Sequence, residues 1–216
     1  MKPISPFGLP LGISFTIWTL AGLARYLTEK LTRRKKKSRK PRFKPSDIAA
    51  VVPAHNEELI IRRCVQALKK VLDEKQIYVA SDGSTDMTTR RARMEGCHVS
   101  SLNPGLGKAK ALKHLFIRYK LFERYKLIFI VDADTDMDTA CLVNALPLFS
   151  DKRVGVVFAS SHTRWIQHII PKLSYYFIAY RDRLNRLLQY CFVYGQTWSL
   201  TNVIYVIPGF ATIYRS

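Results

Sequence analysis

From residue 46 onward, short apolar runs alternate with helical patterns, and this alternation constrains the fold more than any other feature of the chain. Residues 47–54, DIAAVVPA, read as a buried strand closed by Pro53. Residues 57–72 read as a helix: Asn56 is a candidate N-cap, Glu57 and Glu58 sit in the first turn, and Ile61, Cys64, Val65, Leu68, Val71 and Leu72 share one face. Further strands are expected at 76–81, 97–102, 126–133 and 153–160, with helices at 85–94, 106–122 and 139–148. The pattern predicts an α/β fold, an open and mostly parallel sheet with flanking helices and right-handed crossovers. Ligands of such sheets bind beyond the carboxyl ends of the strands. Attention therefore falls on four loops: PAHNE, SDGSTD, NPGLGK and DADTD.

Each loop has a chemical reading and an ordinary one. Asp132 and Asp134 form a D-x-D after the apolar strand, where two carboxylates can share Mn2+ or Mg2+ with a substrate's phosphates. Asp136 and Asp138 extend the acidic run, so a solvated turn is the alternative; Asp138 reads as a helix N-cap. Asp82 lies at a strand-to-helix turn in which Gly83 permits tightness, Ser84 or Thr85 can cap, and Asp86 enters the first helical turn. Functionally, Asp82 would accept hydrogen bonds from a nucleotide. The stretch 103–110, NPGLGKAK, can cradle a diphosphate, or it is a plain turn with a solvated lysine. It is not a Walker A motif, because Ala109 follows Lys108 where Ser or Thr is needed.

Before the alternation, residues 7–24 carry no charge, and residues 25–44 carry eleven basic residues against the single acid Glu29. That short stretch holds +10 of the +19 formal charge. An apolar run followed by positive charge predicts an N-terminal transmembrane helix (residues 1–27), a polybasic juxtamembrane linker (28–45) lying on membrane lipids, and a folded domain (46–216) on the cytoplasmic face of the plasma or inner membrane. A signal peptide would need a basic segment before the run, where only Lys2 stands. The basic excess fits a polyanionic partner. A nucleic-acid partner rests on charge alone and leaves the four loops unexplained, so none is expected. Residues 175–194 interleave aromatics with arginines and read as core or interfacial packing. Ten glycines, ten prolines and 48% hydrophobic residues exclude collagen and wholesale disorder. The four cysteines, 64, 97, 141 and 191, form no CxxC pair and fit a reducing compartment.

Together the loops PAHNEE (53–58), SDGSTD (81–86), GLGKAKAL (105–112) and VDADT (131–135) resemble the signature of family 2 glycosyltransferases, in order and in spacing. The resemblance is nearest to the membrane-bound processive branch, the hyaluronan, chitin, cellulose and poly-N-acetylglucosamine synthases, whose acceptor-side loop PGFATIYR (208–215) resembles. It implies a GT-A (Rossmann-like) fold and inverting transfer from a UDP-sugar donor to a growing polysaccharide or other glycan acceptor. By motif position Pro53 and Glu57 line the nucleoside pocket, Asp82 binds the base or ribose side, Lys108 contacts the base or diphosphate, and Asp132 and Asp134 hold the diphosphate through Mn2+ or Mg2+. The family's acceptor base is an Asp after the acceptor-side loop, so it is expected beyond Ser216. Asp151 and Asp182 sit in no such motif, and the pair Arg164–Trp165 does not make a Q-x-x-R-W. A donor-binding fragment, or a chain completed by a partner subunit, is the alternative expectation.

Overall fold

The computed structural model describes residues 11–32, 41–135, 137–159 and 211–216, with single helical positions between 173 and 191. The chain divides into two compact units, Met1–Lys37 with Ser161–Ile207, and Ser38–Ser160 with Pro208–Ser216. Expectations placed on residues 7–10, 33–40, Asp136, Arg164, Trp165, Asp182 and 208–210 lie outside the described residues.

The second unit is a six-stranded sheet. Its strands are β1 (Ile48–Ala54), β2 (Ile77–Asp82), β3 (His98–Leu102), β4 (Leu127–Ile130), β5 (Val156–Phe158) and β6 (Thr212–Arg215), in the order β3-β2-β1-β4-β6-β5. The first four run parallel, and β6 lies antiparallel between β4 and β5. β1 is central and pairs with β2 on one side and β4 on the other, with Ala54 opposite Ser81 and Ile48 opposite Leu127.

The helices of this unit are α2 (Ile61–Lys69), α3 (Thr88–Met94), α4 (Lys108–Arg118), α5 (Leu121–Arg124) and α6 (Ala140–Ala145). Side-chain alternation along β1 decides which helix meets which face. Ile48, Ala50, Val52 and Ala54 join Ile61, Val65 and Leu68 of α2, Ala92 of α3 and Leu142 of α6 in one core. Ala49 and Val51 join Ala111 and Leu115 of α4 and Leu121 of α5 in the other. The result is a three-layer α/β/α arrangement whose strands are continuous apolar runs because both faces are covered. Phe129 of β4 is fully buried, and truncating it to Ala is expected to cost about 3–5 kcal/mol.

Element boundaries differ from the sequence reading where tertiary hydrogen bonds intervene. The helix expected from Glu57 begins at Ile61. Asn56 does not cap it: its φ is +54° and its side-chain Oδ1 accepts the Thr85 N–H at 2.9 Å. The helix expected over 106–122 is broken at Lys120, which sits in the left-handed region at φ +50°. β6 was not expected as a strand at all. It takes up the end of PGFATIYR, so residues 212–215 are sheet rather than a free loop. Arg215 lies with its guanidinium 5.4 Å from the Phe43 ring and 5.7 Å from the Phe149 ring, and its Nη2 donates to the carbonyls of Phe149 and Asp151 at 2.8 and 3.0 Å. Arg215 thereby ties β6 to the segment that leads into β5.

In the first unit, α1 (Leu11–Thr32) spans 22 residues. Among the described residues no helix is long and apolar enough to cross a membrane, and residues 7–10 of the expected span lie outside them. The described helix carries Arg25, Glu29 and Lys30 in its second half.

Candidate functional site

Three adjacent parallel strands, β2, β1 and β4, point their carboxyl ends the same way, and the loops that follow them lie at one edge of the sheet. Pairing continues one residue past β4, where the Val131 N–H donates to the Val51 carbonyl at 3.0 Å. His55, Asp82 and Asp132 are thereby delivered to the same edge, together with Glu57 and Lys108 from the neighbouring loops. Pro53 is half-buried within β1, on the side of the sheet shared with Ala49 and Val51.

Asp82 is almost buried, at 8% exposure. Its Oδ1 accepts the Leu106 N–H at 2.6 Å and its Oδ2 accepts the Gly107 N–H at 2.8 Å. The backbones of the two loops touch. Gly83 has φ +67°, and a Cβ there would stand 2.8 Å from both the Cα and the N of Gly105. Any side chain at 83 is therefore excluded twice, by conformation and by space. The Gly83 N–H is itself taken by the Leu102 carbonyl at 2.8 Å. On the other side, His55 Nδ1 lies 2.6 Å from the Asp82 carbonyl. A carbonyl only accepts, so this nitrogen carries the proton. Sequence reasoning had Asp82 accepting hydrogen bonds from a nucleotide; in the folded chain both of its carboxylate oxygens already accept backbone N–H groups.

The segment before α2 is cross-linked to the SDGSTD loop. Glu57 N–H donates to Thr88 Oγ1 at 2.7 Å, Glu58 N–H to Asp86 Oδ2 at 3.1 Å, and the Met87 N–H returns to Glu58 Oε2 at 2.9 Å. Asp86, not Ser84 or Thr85, receives the first N–H of α3: its Oδ1 accepts from the Thr88 N–H at 2.9 Å. Burial pushes the Glu57 carboxyl above the usual range, and the negative charges of Asp134 and Asp86 add to that, against a downward pull from His55.

Asp132 and Asp134 form a tight turn, with the Thr135 N–H donating to the Asp132 carbonyl at 3.0 Å. Asp134 is exposed. Lys108, the first residue of α4, places its Nζ 2.6 Å from Asp132 Oδ1 in a largely solvated ion pair. Below the turn, the buried Cys64 thiol lies 3.8 Å from the Asp132 carbonyl. Burial first, and then the charges of Asp134 and Asp132, push that thiol up to about 12. Asp138 Oδ1 accepts the Ala140 N–H at 2.9 Å, a capping contact at the start of α6.

This donor set suits a divalent cation. It offers hard carboxylate oxygens at an exposed turn whose charge is felt by both Glu57 and Cys64. Among the described residues no group of three or more His, Cys, Asp or Glu is placed to hold a metal without help. A cation at Asp132 and Asp134 therefore needs further oxygen ligands, as phosphates would provide. Asp151, the other carboxylate weighed from the sequence, accepts the N–H and Nε–H of Arg153 at 3.0 and 3.1 Å.

Residues 49–215, well over half of the chain, match the family described as Glycosyl transferase family 2. An uncharacterized protein of Methanocaldococcus jannaschii is 41% identical over 90 residues, which is 41% of this chain and 35% of that protein. A mannosyltransferase from Pyrobaculum calidifontis, solved with GDP-Man and Mn2+, superposes with a TM-score of 0.48 at 22% identity over 69% of this chain and 46% of that one. Glucosyl-3-phosphoglycerate synthase from Mycobacterium tuberculosis, solved with UDP, superposes with a TM-score of 0.48 at 20% identity over 79% of this chain and 57% of that one. The chain thus spans about a third to rather more than half of the length of these relatives. The mixed α/β sheet with flanking helices resembles the GT-A arrangement.

Proposed function

The chain belongs to Glycosyl transferase family 2, and from that premise we propose that it binds a UDP-sugar at the β2–β1–β4 edge and transfers the sugar to a glycan acceptor. The observation that carries this reading is the convergence of Glu57, Asp82, Lys108, Asp132 and Asp134 on one edge of the sheet, where open α/β sheets bind ligands.

The roles divide by chemistry. Lys108 is an ammonium at the N-terminus of α4, and both the lysine and the helix end favour a diphosphate. Asp132 and Asp134 would hold Mn2+ or Mg2+, which when bound supplies Lewis-acid stabilisation of the departing nucleoside diphosphate. Glu57 and Pro53 border the space on the β1 side, where the nucleoside would lie. Among the described residues we assign no acceptor base, since Asp151 is engaged by Arg153.

We further propose that the chain works at a membrane, on the cytoplasmic face, with a growing polysaccharide as acceptor. This finer reading is supported by the +10 charge of residues 25–44, which suits anionic headgroups, and by the likeness of the four loops to the processive branch. Flotation with vesicles with and without anionic lipid would test the membrane part.

Calorimetric titration of UDP tests the donor site. With Mn2+ present UDP should bind, and chelation or Asp134→Ala should remove most of the affinity while leaving the thermal unfolding transition intact. Equal UDP binding in chelator and in Mn2+ would overturn the assignment.

A further inference from the structure

We infer that the helical positions from Leu173 to Leu187 form an in-plane lipid contact, with an apolar stripe that lies on an anionic membrane surface without crossing it. The inference deepens the membrane reading above and rests on it; the donor site plays no part in it. Leu173, Phe177, Tyr180, Leu184 and Leu187 all occupy helical positions. They recur at alternating spacings of four and three residues, which sets them on one face of a helix. Every one of them is exposed, by 41% to 86%. A similar spacing has the opposite outcome in α2, where Ile61, Cys64, Val65 and Leu68 are buried in the core of the sheet. Single exposed leucines are ordinary on a protein surface, whereas a continuous apolar stripe marks a contact surface.

Charge and side-chain type select the occupant. Residues 172–188 carry Lys172, Arg181, Arg183 and Arg186 against the single acid Asp182. Residues 25–37, in the same compact unit, add seven basic residues against Glu29. A second copy of the chain would bring the same positive charge to the contact and be repelled, whereas anionic headgroups complement it. Phe177 and Tyr180 are aromatics of the kind that settle at headgroup level. The four charges at 181, 182, 183 and 186 exclude a span. Apolar residues on one face with arginines between them instead suit a helix lying along the interface. α1 also exposes Leu20, Leu27 and Leu31, so attachment through α1 alone is the arrangement to be separated from this one.

Two measurements on the full chain test this. The first is flotation with vesicles of phosphatidylcholine alone and of phosphatidylcholine mixed with phosphatidylserine. The unaltered protein should bind the mixed vesicles at least about tenfold more tightly than the neutral ones. The double variant Phe177→Ser, Leu184→Ser should bind the mixed vesicles at least about tenfold more weakly, with its thermal unfolding transition unchanged. The second is amide hydrogen exchange of the unaltered protein, which should slow across residues 173–188 when mixed vesicles are added. This arm judges the stripe whether or not the double variant folds. Equal binding by the unaltered and double-variant proteins, or exchange in 173–188 unmoved by vesicles, would overturn the inference and leave attachment to α1 and its basic segment. A dimer in sedimentation that the double variant loses would assign the stripe to a second copy and overturn it too. So would equal binding to both kinds of vesicle. No vesicle binding by the unaltered protein would sink the membrane reading itself and this inference with it.

Discussion

The two halves of the candidate site are built differently. On the β2 side, Asp82 is nearly buried, its oxygens accept two backbone N–H groups, and two glycines pack backbone to backbone beside it. On the β4 side, Asp132 and Asp134 sit on an exposed turn, with a solvated lysine reaching one of them. The first half is fixed before any ligand arrives. The second half has unspent negative charge and room to change partners. The contrast teaches a division of labour: the fold sets the shape of the pocket at β2 and leaves the chemistry of charge neutralisation to be completed at β4.

The largest expected effect comes from breaking the rigid half. Gly83→Ala would place a methyl 2.8 Å from Gly105 backbone atoms in a left-handed conformation. It should destabilise the domain by about 2–4 kcal/mol in chemical denaturation. A loss under about 0.5 kcal/mol would show that the two loops are not packed as described.

A smaller effect is expected at the open half. Lys108 neutralises part of Asp132, so it competes with a cation there. Lys108→Met should tighten binding of Mn2+ alone, followed by electron paramagnetic resonance, by about two- to fivefold, since solvated ion pairs are weak. The same variant should weaken UDP binding. Unchanged or poorer affinity for Mn2+ alone would argue that lysine and metal do not share Asp132.

The least effect concerns stability and pH. The Glu57 carboxyl is raised by burial, with Asp134 adding to it, so its ionised form opposes folding and its protonated form does not. Removing the Asp134 charge relieves that opposition only while Glu57 is ionised. Asp134→Asn should therefore be slightly more stable than the unaltered protein at neutral pH, by a few tenths of a kcal/mol. The gain should fade as pH falls through the raised Glu57 range. A gain that grows toward acid would reverse the sign and remove Glu57 from the neighbourhood of Asp134.

Much of this arrangement was legible in the sequence, for identifiable reasons. The parallel strands are continuous apolar runs because helices cover both faces, so 48–54, 77–82 and 127–130 stand out. The loops after them could be singled out from the strand–helix alternation, because ligands of such sheets bind beyond the carboxyl ends of the strands. What stayed hidden was set by partners distant in sequence. The start of α2 moved because Asn56 and Glu57 bond to Thr85 and Thr88, some thirty residues away. The break before α5 depends on the left-handed Lys120, a residue with no strong turn preference. β6 was missed because four residues of TIYR make a strand only between β4 and β5, which lie far from it in the chain. The bonds of Asp82 to Leu106 and Gly107 carry no sequence signal beyond the glycines themselves. The helical pattern near the N-terminus was legible, but α1 runs on through Arg25, Glu29 and Lys30, so continuity of helix did not mean continuity of apolar surface.

The central claim is that four loops, far apart in the chain, form one donor site. Hydrogen–deuterium exchange of the full chain, with and without UDP and Mn2+ together, tests it most directly. The expected result is slowed exchange in four separate segments, around residues 55–58, 82–86, 105–108 and 132–135, with little change on the outer faces of α2 and α4. Protection confined to the basic stretch between Arg25 and Lys44, or to only one of the four loops, would contradict it.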